Sequence, residues 1–160
     1  MKYASICVAS LLALAGGSPA LADTTVKVTL WDKPAIMNSG MKMNMGMGMH
    51  GNMSMAGMGI DVDKAKVRAG KVSFDVLNAS KDTIHEMIVS PIRGPDVSLP
   101  YVANESRVDE DASGDLGEVS ELDPGRAGSL TIELKPGYYA LFCNVPGHFI
   151  AGMWTTIEVE

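Results

Sequence analysis

Apolar and polar positions alternate in short runs along most of this chain. In residues 25–31, TVKVTLW, the residues Val26, Val28 and Leu30 fall on one face and polar residues on the other. That period of two is the signature of a half-buried strand. The stretch 65–78, AKVRAGKVSFDVLN, predicts two β pieces around Ala69–Gly70, with Val72, Phe74 and Val76 alternating with Ser73 and Asp75. TIHEMIVS (83–90) predicts a strand ended by Pro91. GSLTIEL (128–134) alternates again, a KPG turn leads into YYALFC, and MWTTIEVE closes the chain as a last strand. Between Pro91 and Pro124 the sequence is acidic and rich in Gly, Pro, Ser and Asp, with a short helix expected over about 101–109. Many short strands separated by turn residues, with no strong helical period, predict an all-β sandwich or barrel.

The first residues do not belong to that pattern. Lys2, the apolar run 6–14, the breakers Gly16 to Pro19 and the Ala20-Leu21-Ala22 triplet read as a secretory leader over 1–22, cleaved after Ala22. The run is too short to span a bilayer, and Asp23 stands where a lipid-anchored protein needs cysteine. The expectation is a periplasmic protein without a membrane anchor, 23–160 forming one domain. Of two cysteines, Cys7 lies in the leader, leaving Cys143 alone in an oxidising compartment, where a lone thiol calls for an intermolecular bridge, inert burial or a ligand role. A net charge of −6 argues against nucleic acid as a partner.

The stretch CNVPGHFIAGM (143–153) supplies the ligand role. It sets a thiol, an imidazole and a thioether in one loop at C-x4-H-x4-M spacing, and His85 stands upstream at the start of a strand. Two imidazoles and a thiolate with a weak axial thioether make the donor set of a copper electron-transfer site. Thiolate and thioether suit Cu(I), and imidazole tolerates both oxidation states. Gly147 and Gly152 permit sharp turns, and Pro146 stiffens the loop. With FDVLNASKDTIHE, LKPGYYALFCNVPGHFIAGM and the final strand, residues 62–160 closely resemble the cupredoxins. The resemblance implies a Greek-key β-sandwich with His85, Cys143, His148 and Met153 as copper ligands. It also implies Asn or Ser after the first histidine, supporting the cysteine loop; here the residue is Glu86.

A second feature is MKMNMGMGMHGNMSMAGM (41–58), within a Met/Gly-rich segment, 35–59, expected to be a flexible insertion. Met41, Met43, Met45, Met47 and Met49 recur at every second position, His50 follows, then Met53, Met55 and Met58. In an extended chain such thioethers share one side. Two or three of them, with or without an imidazole, suit Cu(I) and discriminate against Zn, Mg and Ca. Thioethers need no deprotonation, so they bind in acidic or oxidising surroundings. The residues themselves also allow a loop that scavenges oxidants. Leader, short strand, Met-rich segment and one such domain together resemble the copper-tolerance cupredoxins of the CopI type. That implies a role in resisting excess periplasmic copper, not only in carrying electrons. The expected partners are copper ions and a periplasmic cytochrome or copper-handling protein.

The alternative is a soluble electron carrier. In that reading the edge of His148, framed by Pro146 and Phe149, is the electron exit, and Asp109, Glu110, Asp111, Asp115, Glu118 and Glu121 steer a basic partner. A multicopper oxidase needs many more histidines, and only His50 is left after the two ligands. Oxidation of Cu(I) itself stays open.

Overall fold

The computed structural model describes residues 24–33, 57–95 and 98–160. The leader, His50 and the methionines from Met41 to Met55 lie outside these residues. Eleven strands and one short helix follow in chain order: β1 Thr24–Asp32, β2 Met58–Val62, β3 Lys66–Val67, β4 Gly70–Asn78, β5 His85–Ile92, β6 Tyr101–Val102, β7 Arg107–Val108, α1 Glu110–Ser113, β8 Glu118–Leu122, β9 Ala127–Leu134, β10 Gly137–Phe142 and β11 Trp154–Val159. They form a four-stranded sheet in the order β2-β1-β4-β9, a five-stranded sheet in the order β3-β11-β10-β5-β8, and a β6–β7 pair. The pairs β1–β4 and β3–β11 are parallel and the others antiparallel.

The alternation seen in the sequence decides which faces meet. Val26, Val28, Leu30, Val72, Phe74 and Val76 leave the four-stranded sheet and pack on Met87, Val89, Tyr139, Leu141, Ile157 and Val159 of the other. Strands β5 and β10 also bury their second face: Ile88, Ala140 and Phe142 pack with Leu99, Val108 and Phe149. A strand covered on both sides reads as a continuous apolar run, which is why HEMIV and ALF do not alternate.

Three expectations need correction. The region 101–109 is no helix: β6 and β7 pair there, Val102 opposite Arg107, and the helical turn comes one step later at Glu110–Ser113. Asp109 caps it by accepting from the Ala112 N–H at 3.0 Å. Pro91 does not end β5, which runs on to Ile92. Its partner β8 pairs only as far as Ile88, so Pro91 has a ladder neighbour, β10, on one side alone, where a missing N–H is tolerated. Strand β2 begins inside the stretch assigned to the flexible insertion: Met58 opposes Asp32 and packs half-buried against the core. Strand β8 was hidden because its polar residues Glu118, Ser120 and Glu121 are exposed and Val119 alone is buried.

Strands β8 and β9 belong to different sheets and approach closely at Gly128, where an added Cβ would stand 2.6 Å from Val119 Cγ1. We expect Gly128→Ala to destabilise the fold by about 1–3 kcal/mol through overpacking, read as a lower urea midpoint. A midpoint equal to the parent's would show that the two strands part at no cost.

Candidate metal centre

In the five-stranded sheet the start of β5 lies beside the end of its neighbour β10, and these strand ends carry the chemistry. His85 opens β5, and Cys143 follows Phe142, the last residue of β10. The chain then makes a tight loop before β11. Val145 O accepts from the His148 N–H at 2.9 Å, His148 O from the Met153 N–H at 3.1 Å, and Met153 O from the Cys143 N–H at 3.0 Å. Gly147 (φ +85°) and Gly152 (φ +100°) take the left-handed backbone these turns require. Gly147 N–H also donates to Ser106 O at 2.8 Å, tying the loop to the β6–β7 connection.

This arrangement gathers three donors. His85 Nδ1 lies 3.3 Å from His148 Nδ1, and Cys143 Sγ lies 3.4 Å from the same His148 nitrogen. His85, Cys143 and His148 each offer one ligand atom, all within 4.8 Å of one another. His85 and Cys143 are fully buried and His148 half-buried. Met153 is fully buried too, in the core cluster that includes Cys143. Of the expected accessory ligands only Met58 lies among the described residues, in β2.

Burial sets the protonation of the group. It lowers His85 to about 4, helped by His148 and opposed by Asp32. It lowers His148 as well, again against Asp32. It pushes the Cys143 thiol up to about 12, although backbone N–H groups of Glu86 and Val145 favour the thiolate. Two neutral imidazoles thus face each other beside a thiol that cannot ionise alone. A cation among them answers all three: it takes both lone pairs and replaces the thiol proton. Soft sulfur with two imidazoles suits copper, so these residues fit that ion and could hold it.

Supporting residues went unnoticed in the sequence. Asn144 is buried; its amide donates to Val108 O (3.0 Å) and Glu110 Oε1 (2.7 Å), and its carbonyl accepts from Val108 N–H at 2.6 Å. Its own N–H donates to Glu86 Oε1 at 3.0 Å. Glu86 therefore supports the cysteine loop from the position where the resemblance implied Asn or Ser. Ser80 Oγ lies 2.7 Å from His85 Nε2. The only sequence signal for these residues is adjacency, Asn144 to Cys143 and NAS to the strand of His85. Phe149, expected to frame the edge of His148, is buried, edge-on to Phe142 at 5.9 Å and stacked on Tyr101 at 6.0 Å. Pro146 is exposed.

Glu86 generates a pH dependence. Burial pushes its carboxyl up to about 7; the Asn144 N–H opposes this and Glu118, Glu110 and Glu121 reinforce it. The native state then holds a proton that the unfolded chain, with an ordinary carboxyl near 4.5, has released. Its contribution to stability is complete below about 4.5 and is lost as pH rises through about 7. In the metal-free protein Glu86→Gln should remove that loss and gain on the order of 2 kcal/mol over the parent at pH 8 relative to pH 5. Urea unfolding of both chains at the two pH values checks it; equal pH slopes would contradict it.

No family model matches the chain, and no curated protein matches it. Solved structures do. Auracyanin B superposes with a TM-score of 0.55 at 20% identity, over 86% of this chain and 88% of that one. Rusticyanin from Thiobacillus ferrooxidans gives 0.52 at 16%, over 87% and 79%. Reduced auracyanin from the photosynthetic bacterium Roseiflexus castenholzii gives 0.50 at 18%, over 87% and 98%. At these identities the likeness is one of fold, and the fold of this chain is the cupredoxin Greek-key β-sandwich.

Proposed function

We propose that this chain is an exported, periplasmic copper protein of the CopI type that contributes to copper tolerance. Its redox centre is formed by His85, Cys143, His148 and Met153. The convergence of two imidazole nitrogens and a buried thiol within 4.8 Å carries the reading. Rusticyanin, similar in fold, is a copper protein. Copper bound here supplies one-electron chemistry between its +1 and +2 states. The chain's own part is to exclude water from the buried donors and to hold them on strand ends, so that little rearranges between the two states. The half-buried ring of His148 is the member of the set nearest solvent. Among the described residues no helix is long and apolar enough to cross a membrane.

The Met-rich segment is the second half of the reading: Met41, Met43, Met45, Met47, Met49, His50, Met53 and Met55 collect Cu(I). Its placement in the chain supports a joint function. Lys33 N–H donates to Gly57 O at 2.7 Å, so the residues that flank 34–56 meet at one point. That point adjoins Asp32, whose charge acts on both His85 and His148. Met58 is left out of the set, since it packs against the core. A plain electron carrier is the second reading. It is favoured by the exposed carboxylates Asp109, Asp111, Asp115, Glu118 and Glu121, a surface that would attract a basic redox partner such as a cytochrome.

Anaerobic titration with Cu(I) decides between the two. The chain from Asp23 onward should take up more than one ion, and a version lacking residues 42–55 should keep only the one at Cys143. Equal uptake of a single ion by both leaves electron transfer as the function. Cys143→Ser should abolish the intense visible absorption of the Cu(II) form, because that band is charge transfer from the thiolate; retained colour would refute the site.

A further inference from the structure

His85 is held from behind. A neutral imidazole has one N–H and one lone pair. Here Nδ1 faces His148 and Nε2 faces Ser80 Oγ at 2.7 Å. For Nδ1 to offer its lone pair toward the other donors, the proton must sit on Nε2, and the Ser80 oxygen is there to accept it. Ser80 is itself buried, so its own O–H needs an acceptor inside the protein. The carboxylate of Asp32, at the end of β1, meets the same turn three residues on, at Thr83. It accepts from the Thr83 O–H at 2.5 Å. Burial would raise this carboxyl, yet the Thr83 and Ser80 hydroxyls and the nearby His85 bring it below its ordinary value.

The turn that carries Ser80 is fixed independently of the ligands. Asn78, fully buried at the end of β4, accepts from Ser80 N–H at 3.0 Å and donates to Thr83 O and Leu122 O, each at 2.8 Å. Ala79 N–H donates to Leu30 O at 2.8 Å. The Ser80 hydroxyl is therefore preset against one ring nitrogen of His85. An acceptor behind a ligating imidazole fixes its orientation and raises its basicity.

We propose that Ser80 and Asp32 are positioning residues for His85: Ser80 fixes Nδ1 as the coordinating atom, and Asp32 behind it supplies negative charge that favours Cu(II) over Cu(I). The choice of nitrogen belongs to the chain alone; the preference between oxidation states rests on the copper reading above.

Two measurements on the full mature chain test this. In the metal-free protein, long-range proton–nitrogen NMR of the imidazoles should find the Nε2–H tautomer at His85. Ser80→Ala should shift the ring toward Nδ1–H, and Ser80→Thr, which keeps the hydroxyl, should restore the parent form. In the copper-loaded protein, Ser80→Ala and Asp32→Asn should each weaken Cu(II) binding relative to Cu(I) by about tenfold, a rise of about 59 mV in reduction potential. Ser80→Thr should stay near the parent. A parental tautomer in Ser80→Ala overturns the role of Ser80, and an unchanged or lowered potential in Asp32→Asn overturns that of Asp32. If the chain takes up no copper, the copper reading fails together with the role of Asp32, while the metal-free tautomer still decides Ser80.

Discussion

The hydrogen bond from Cys143 N–H to Met153 O is the constraint on which the centre depends. It extends the β10–β11 ladder by one rung beyond the Phe142–Trp154 pair, and so turns the stretch between into a closed hairpin connection. Closure leaves the backbone little choice. His148 must bond back to Val145 and forward to Met153, and Gly147 and Gly152 take the conformations that side chains oppose. The position of His148 is thereby inherited from the sheet rather than from a ligand. His85 is inherited in the same way, since the β5–β10 register sets Ile88 opposite Phe142 and delivers the start of β5 beside the loop. An ion arriving among these donors finds them already assembled, and the ordering cost has been met by folding.

Burial then does two things at once. It keeps water from the donors, and it holds each of them in its neutral form, with both histidines lowered and the thiol raised. The same low-dielectric surroundings extend to Glu86, whose carboxyl takes on the job of holding Asn144 at the expense of its own ionisation. An amide or hydroxyl there would make the same bond without charge. A carboxyl makes the support of the cysteine loop sensitive to the acidic residues around it, Glu118, Glu110 and Glu121.

Much of this was legible in the sequence, for a physical reason. Strands with one wet face announce themselves by alternation, and Val26, Val28, Leu30, Val72, Phe74 and Val76 are buried as their period requires. The spacing of Cys143, His148 and Met153 was legible because one loop holds all three. What could not be read depends on contacts distant in sequence. Strand β8 buries Val119 alone, too little to make a pattern. Helix α1 is set by a capping aspartate and a left-handed Gly114 rather than by an apolar face. The burial of Phe149 depends on the β6–β7 pair, which brings Tyr101 to stack on its ring. Ser80 and Asp32 are polar residues of common type, and nothing but the fold brings them to one imidazole.

Asp32 also joins the two layers at the metal end. It terminates β1 of the four-stranded sheet, and its carboxylate reaches Thr83 in the turn that leads into β5 of the other. The next residue, Lys33, bonds through its N–H to Gly57 O, just before β2. One short stretch of backbone therefore fastens the two sheets and bonds to the start of β2. Leu30 of the same strand pairs with Asn78 and accepts from the Ala79 N–H, so β1 and the turn that carries Ser80 and Thr83 are held as one unit. Ser80 N–H and Thr83 O both bond to Asn78, and the Thr83 hydroxyl bonds to Asp32, so this unit sets the carboxylate and the Ser80 hydroxyl together at the turn that leads into His85.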